Sequence, residues 1–284
     1  MKLVGRRLLS EVASRKPGWS HKGDYGRLLV VGGSKKYTGS STIAALAAMR
    51  AGIDMVTLAA PRRAADVAAS YEPGIITEPL CGDFLKESHM RTLMKMLETC
   101  DALVIGCGIG KEKSTARVVR KLISISTKPC VIDADGLHAI SSGMTRLCRQ
   151  AVLTPHAGEF RTLTGCSPGT SVTKRAEQAR KLASKLGCII LLKGKTDIIT
   201  DGKSTFSNKS GNQYMTRGGT GDMLAGVCGA LLALGMKPLE AAAAAAWTTG
   251  KAGDIARQGF GGGFLISDAV SCIPRAIWRI RTGC

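Results

Sequence analysis

Residues 218–222 read Gly-Gly-Thr-Gly-Asp, and the apolar run 223–235 that follows is compatible with a helix. Glycines at such a start let backbone N–H groups approach an anion closely, and the amino end of the helix adds unpaired donors and a positive partial charge. An acid beside a phosphate cradle repels its ligand unless a metal or a proton transfer makes use of it. Asp222 therefore has the placing of a base that deprotonates an attacking hydroxyl. The competing reading is an Asp that caps the helix.

Other glycine-rich stretches fit no single nucleotide motif. The segment Val30-Val31-Gly32-Gly33-Ser34 lacks the third glycine of a dinucleotide fingerprint. In Gly106-Cys107-Gly108-Ile109-Gly110-Lys111 the lysine is followed by Glu112, where a P-loop needs Ser or Thr. Gly194-Lys195-Thr196 has a P-loop ending, but Ile189 stands where the opening glycine belongs. Phosphate binding must then be assembled from several loops. Asp133 and Asp135 can orient a metal-water shell or a ligand hydroxyl, although Asp133 alone reads as an Asx turn. His156 can hydrogen-bond a ligand or serve the structure, and Glu159 suits the first turn of a helix.

These loops need strands to carry them. Apolar runs at 27–31, 55–59, 102–105, 130–132, 151–153 and 189–192 are short and end in Gly, Asp, Pro or Lys, as buried strands do. Helix-length segments at 41–52, 114–124 and 172–186 separate them. The alternation predicts an α/β fold, a mostly parallel sheet with helices on both faces, whose ligands lie beyond the carboxyl ends of the strands. A hairpin is expected within 193–212, then helices over 223–234 and 238–256, the second containing six alanines at 241–246. No linker or repeat interrupts the chain, so one domain over 26–284 is expected after an N-terminal arm, 1–25.

Composition narrows the class. The chain has 284 residues, 44% hydrophobic and 4% aromatic, with no apolar run of membrane-spanning length and no secretory core at its start. A cytoplasmic protein is expected. Ten scattered cysteines form no Cys-x-x-Cys pair and the four histidines are not at ligand spacing, which argues against zinc and disulfides and for small buried thiols. The net charge of +19 is dispersed in short clusters such as Arg62-Arg63, without aromatic ladders or a helix-turn-helix. It reads as a basic surface that attracts phosphorylated ligands, not as a nucleic-acid interface.

Taken together, the segments 21–26 (His-Lys-Gly-Asp-Tyr-Gly), 32–39, 154–160 and 211–226 resemble the NAD(P)H-hydrate dehydratases, carbohydrate-kinase-like repair enzymes of the ribokinase-like fold. The resemblance runs from about His21 onward. It implies removal of water from hydrated NADH and NADPH, by phosphorylation of the ring hydroxyl and elimination of phosphate. Residues 212–226 are similar to the prokaryotic type, which implies ADP as phosphoryl donor with ATP as the alternative, and Mg²⁺ held mostly by the nucleotide.

By the same resemblance Asp222 is the catalytic base. Ser40, Gly108, His156 and Asp222 contact the hydrated cofactor, while Lys193, Gly194, Lys195, Thr196 and Asp197, with Gly221, hold the adenine nucleotide. Family members often have Ala in place of Ser40 and Pro in place of Cys107. A homotetramer and a separate epimerase are further implications. The alternative is a ribokinase-like kinase for a vitamin precursor such as a hydroxyethylthiazole, which would share Asp222 and the anion hole.

Overall fold

The structure is a computed structural model that describes residues 1–10, 18–141, 147 and 150–278. Its elements run β1 (Lys2–Leu3), β2 (Arg27–Val31), α1 (Gly39–Arg50), β3 (Met55–Pro61), α2 (Arg62–Tyr71), β4 (Ile76–Leu80), α3 (Met90–Thr99) and β5 (Ala102–Ile105). There follow α4 (Lys113–Ile125), β6 (Cys130–Ile132), α5 (Asp135–Ser141), β7 (Ala151–Leu153), α6 (Ala157–Thr164), α7 (Val172–Leu186) and β8 (Ile189–Leu192). The chain continues through β9 (Asp197–Thr200), β10 (Thr205–Asn208), α8 (Thr220–Ala233), α9 (Pro238–Phe260), α10 (Ile266–Ser271) and α11 (Ile273–Trp278).

One sheet holds all ten strands in the order β1-β10-β9-β8-β7-β6-β5-β2-β3-β4. From β4 through β3, β2, β5, β6 and β7 to β8 every pair is parallel, β8-β9-β10 is an antiparallel meander, and β1 pairs in parallel with β10. The unbroken apolar runs of the central strands follow from burial on both faces. Along β2, Leu28 and Val30 enter a core shared with α1, α2, α8, α9, α10 and α11, whereas Leu29 and Val31 face α3 to α7. A pleat of period two serves both layers with one strand.

Strand β4 has no counterpart in the sequence reading. Its residues Ile-Thr-Glu-Pro-Leu include Pro79, which cannot donate to a ladder, and accordingly the strand lies at the end of the sheet. At the amino terminus, Lys2–Leu3 pairs with Phe206 and Ser207, and Leu9 is buried in the core. Of the expected arm, 11–17 lie outside the described residues. Of the eight cysteines described, six are buried, as small hydrophobes are; Cys148 and Cys284 lie outside the described residues. Among the described residues no helix is long and apolar enough to cross a membrane.

Helix α8 is the pivot of the fold. Every residue from Met223 to Ala233 is buried, because the helix lies between the sheet and helices α1 and α9. Small residues make this possible. A Cβ at Gly226 would stand 2.0 Å from the Ala44 carbonyl oxygen of α1, and Ala241 to Ala246 of α9 are all buried beside it. Gly226→Ala should therefore destabilise the protein by about 1–3 kcal/mol or more, since backbone must move to admit the methyl. Gly259→Ala, in α9 with open space around it, should be neutral or stabilising by up to about 1 kcal/mol. Thermal or urea denaturation of the two variants checks this; equal stabilities would contradict the close packing.

Candidate active site

Five loops converge at the carboxyl ends of the parallel strands. After β2, the Gly33 N–H donates to the Cys107 carbonyl at 2.8 Å, locking this loop to the one after β5. After β5, Gly106 has φ 127°, and a Cβ there would stand 1.9 Å from the Asp133 carbonyl oxygen. Only glycine lets these two strand ends come so close. Gly108 is buried beneath Tyr37 and Ser40, and the Gly110 N–H donates to Asp135 Oδ2 at 3.1 Å. Ala134, between the two acids, is held at φ 48°. Such positions are strained for a residue with a side chain and persist only where the surroundings impose them.

Helix α8 begins at Thr220, three residues before the start expected from the apolar run. Gly219, at φ 92°, is its N-cap, with no side chain closing the cap. The early start corrects the capping reading of Asp222. Asp222 lies inside the first turn, its carboxyl free to face the loops after β5 and β6, while Gly221 leaves room for Asp133 Oδ2 and Lys193 Nζ, each 3.3 Å from where a Cβ would be.

The charges are unequally matched. Asp133 is buried; its Oδ1 accepts from Thr154 Oγ1 at 2.6 Å and from Lys193 Nζ at 2.8 Å. The Asx turn expected at Asp133 is not made by its side chain; the turn is closed by its backbone carbonyl, which accepts from Gly136 N at 2.9 Å. Lys193 Nζ also lies 3.7 Å from Glu159 Oε2. Burial alone would lower the Lys193 ammonium, but the Asp133 and Glu159 carboxylates outweigh it and hold it above the ordinary lysine range.

Asp222 is left without an ammonium of its own. Burial, then the like charge of Asp133, push its carboxyl up to about 6, against smaller stabilising contributions from the Cys107 thiol, the Ser40 hydroxyl and Lys193. Cys107 Sγ and the carboxylate oxygens of Asp133 and Asp222 lie within 4.8 Å of one another. Burial, then Asp222 and Asp133, push the Cys107 thiol well up, so it stays protonated. A protonated sulfur is no ligand for a hard cation such as Mg²⁺, which takes oxygen. The cluster is therefore not a self-contained metal cage, and only its carboxylates suit that ion.

The residues singled out in the sequence separate into a centre and a flank. Ser40, Gly108, Gly221, Asp222 and Lys193 meet in the centre. His156 is exposed at its rim and is the N-cap of α6: Nδ1 accepts from Gly158 N at 2.9 Å and Glu159 N at 3.2 Å, and Glu159 Oε2 accepts from His156 N at 2.8 Å. Its Nε2 is the atom left to face solvent or a ligand, 3.5 Å from Glu159 Oε1. Gly194, Lys195, Thr196 and Asp197 form the flank after β8. Asp197 folds back, accepting from Gly194 N at 2.9 Å and Asn208 Nδ2 at 3.0 Å, while Arg175 Nη2 donates to the Lys193 carbonyl at 3.0 Å. The loop is thus pinned with Lys195 exposed along it. Sequence reasoning missed the ion pair of Asp133 with Lys193 and the thiol of Cys107 beside Asp222. Their only signal was position, each at or just past a strand end.

A protein-family model described as NAD(P)H-hydrate dehydratase matches residues 28–275. The chain is 43% identical over 262 residues to the bifunctional NAD(P)H-hydrate repair enzyme Nnr of Pyrobaculum aerophilum, covering 92% of this chain and 52% of the relative. The chain thus spans about half the length of the bifunctional relatives it matches. It is 38% identical over 259 residues to the ADP-dependent (S)-NAD(P)H-hydrate dehydratase of Cenarchaeum symbiosum, covering 90% of this chain and 89% of that protein. In fold it is similar to the ADP/ATP-dependent NAD(P)H-hydrate dehydratase of Bacillus subtilis, with a TM-score of 0.83 and 24% identity over 97% of each chain. The fold is ribokinase-like, as the solved neighbours have it.

The raised carboxyl has a consequence for stability. An acid whose folded-state value stands above its ordinary 3.8 costs nothing below that pH; the cost grows as pH rises towards about 6 and is complete above it. Asp222→Asn carries no such cost. The variant should melt above the wild type at pH 7.5, by about 2–4 °C for each kcal/mol relieved, with the gap closing near pH 4. Calorimetry at the two pH values checks this, and a variant no more stable at pH 7.5 would contradict it.

Proposed function

Because the chain belongs to the NAD(P)H-hydrate dehydratase family, we propose that it restores NADH and NADPH from their hydrated forms, with ADP as phosphoryl donor and ATP as the alternative. The observation that carries the reading is Asp222, a carboxyl tuned to about 6 at the amino end of a buried helix. A base of that strength accepts a proton near neutral pH, where an ordinary aspartate would be a poorer acceptor.

Hydroxide is a poor leaving group, so the ring hydroxyl must be converted before it can depart. In the proposed sequence Asp222 takes the hydroxyl proton as the oxygen attacks the terminal phosphoryl group, and the nucleotide leaves shortened by one phosphate. The ring nitrogen's lone pair then expels phosphate, and loss of a proton from the adjacent carbon restores the double bond. The N–H groups of the first turn of α8, opened by Gly219 and Gly221, are proposed to bind phosphoryl oxygens, as the amino end of a helix with no side-chain cap favours. Lys193 supplies a fixed positive charge beside them. Mg²⁺, carried mostly by the nucleotide, would find a carboxylate oxygen of Asp133 on the protein side and would neutralise phosphate charge.

Ser40, Gly108 and the Nε2 of His156 are proposed to line the hydrated ring and its sugar. The pinned loop from Lys193 to Asp197, with Gly221, is proposed to hold the adenine nucleotide on the β8 side. A homotetramer, a cytoplasmic location and a separate epimerase for the other form of the hydrate complete the proposal by resemblance.

The protein incubated with hydrated NADH or NADPH and ADP should regain reduced-nicotinamide absorbance. Asp222→Asn should lower kcat by about 10²–10⁴ with ADP binding, measured by calorimetry, unchanged within about twofold. Wild-type rates in that variant would overturn the base assignment. Phosphorylation of a small alcohol with no recovery of either hydrate would overturn the dehydratase in favour of a kinase.

A further inference from the structure

A cavity of about 750 Å³ opens beyond the carboxyl ends of β3 and β4, on the same side of the sheet as Asp222. Pro61, Val67 and Tyr71 form an apolar wall, and Lys35, Arg62 and Arg63 bring cations to it. Asp66 and Asp83 also line it, so three positive charges face two negative ones. Lys35 is already paired with Asp83 at 3.0 Å. Arg62 and Arg63 are exposed, and among the described residues their side chains make no hydrogen bond or ion pair.

Two arginines at this point work against the local structure. They are the first two residues of α2, whose first turn contains no acid, so their charges meet the positive end of the helix. Folding alone would favour Asp or Glu there. An anion in the cavity would turn the same two charges, and the helix end with them, into a favourable arrangement.

The cavity is placed to receive the far end of the substrate. In the sheet, β3 is two strands from β5, which carries Cys107 and Gly108, a separation of about 10 Å. The loop after β2 spans the gap: Lys35 lines the cavity, the Tyr37 side chain and backbone cover Gly108, and Ser40 stands beside Asp222. A dinucleotide whose ring reacts at Asp222 can follow this loop outward. The phosphoryl donor's proposed flank lies on the other side, after β8, so the two nucleotides would not compete.

We propose that this cavity takes the adenosine end of the hydrated dinucleotide, and that Arg62 and Arg63 bind the 2′-phosphate that distinguishes the NADPH form from the NADH form. The proposal rests on the dehydratase reading. Guanidinium groups bind phosphate through paired hydrogen bonds, and an arginine is a common partner of the 2′-phosphate in other folds. Tyr71, 62% exposed, offers a ring face to the adenine. Arg62 and Arg63 are then specificity-determining residues, remote from the chemistry.

Steady-state kinetics with both hydrates tests this in the wild type and in Arg62→Ala/Arg63→Ala. The wild type should favour hydrated NADPH, and the variant should raise KM for that substrate about tenfold or more, leaving kcat, the KM for ADP and all hydrated-NADH kinetics unchanged. An equal loss on both hydrates, or no loss, would overturn the proposal. If the wild type turns over neither hydrate, the dehydratase reading fails, and calorimetry with adenosine 2′,5′-bisphosphate decides the cavity by itself. Saturable binding that the double variant loses would support the site, and binding indifferent to the two arginines would overturn it.

Discussion

Two carboxylates and one ammonium share the pocket at the start of α8, and the ammonium is committed to one of them. Lys193 lies 2.8 Å from Asp133, which Thr154 also holds, so Asp133 keeps its charge beside a counter-ion of its own. Asp222 faces this pair with a thiol, a hydroxyl and the more remote charge of Lys193 to stabilise it, which together do not offset its burial and the repulsion of Asp133. That inequality is what turns an ordinary acid into a base active near neutral pH.

The rest of the structure reads as the means of holding that inequality. The close approach of the strand ends at Gly106 puts Asp133 beside the β5 loop, and the left-handed Gly219 starts α8 early enough to turn Asp222 inward. Burial of α8 from Met223 onward anchors the half-buried first turn that carries the carboxyl. The strained Ala134 and the raised Asp222 both cost stability, and the tight packing of small residues between α1, α8 and α9 offsets it. Along the strand ends the pinned loop after β8 and the cavity by β3 and β4 lie to either side of Asp222, which gives the chemistry a middle and two flanks.

The central strands were legible because burial on both faces leaves an unbroken apolar run that turn residues cut off cleanly. Strand β4, with Glu78 and Pro79, and the two-residue β1 leave no such run, since they lie at the ends of the sheet. The start of α8 was misread for a different reason: Gly-Thr-Gly has poor helix propensity, and tertiary packing overrides it. Asp222 itself could be picked out from its glycines and its helix. Its tuning could not, because Asp133 and Lys193 are 60 residues apart and meet only through the parallel order of β6, β7 and β8. His156 joined two readings that sequence kept apart, its Nδ1 serving the helix and its Nε2 left outward.

The central claim is that the fold itself sets the proton affinity of Asp222, before any substrate arrives. Carbon-13 NMR of side-chain carboxyls, titrated in the free protein and assigned by the signal lost in Asp222→Asn, measures this directly. A midpoint at about 6 is the result expected from the geometry. A midpoint in the ordinary aspartate range, near 3.9, would contradict it.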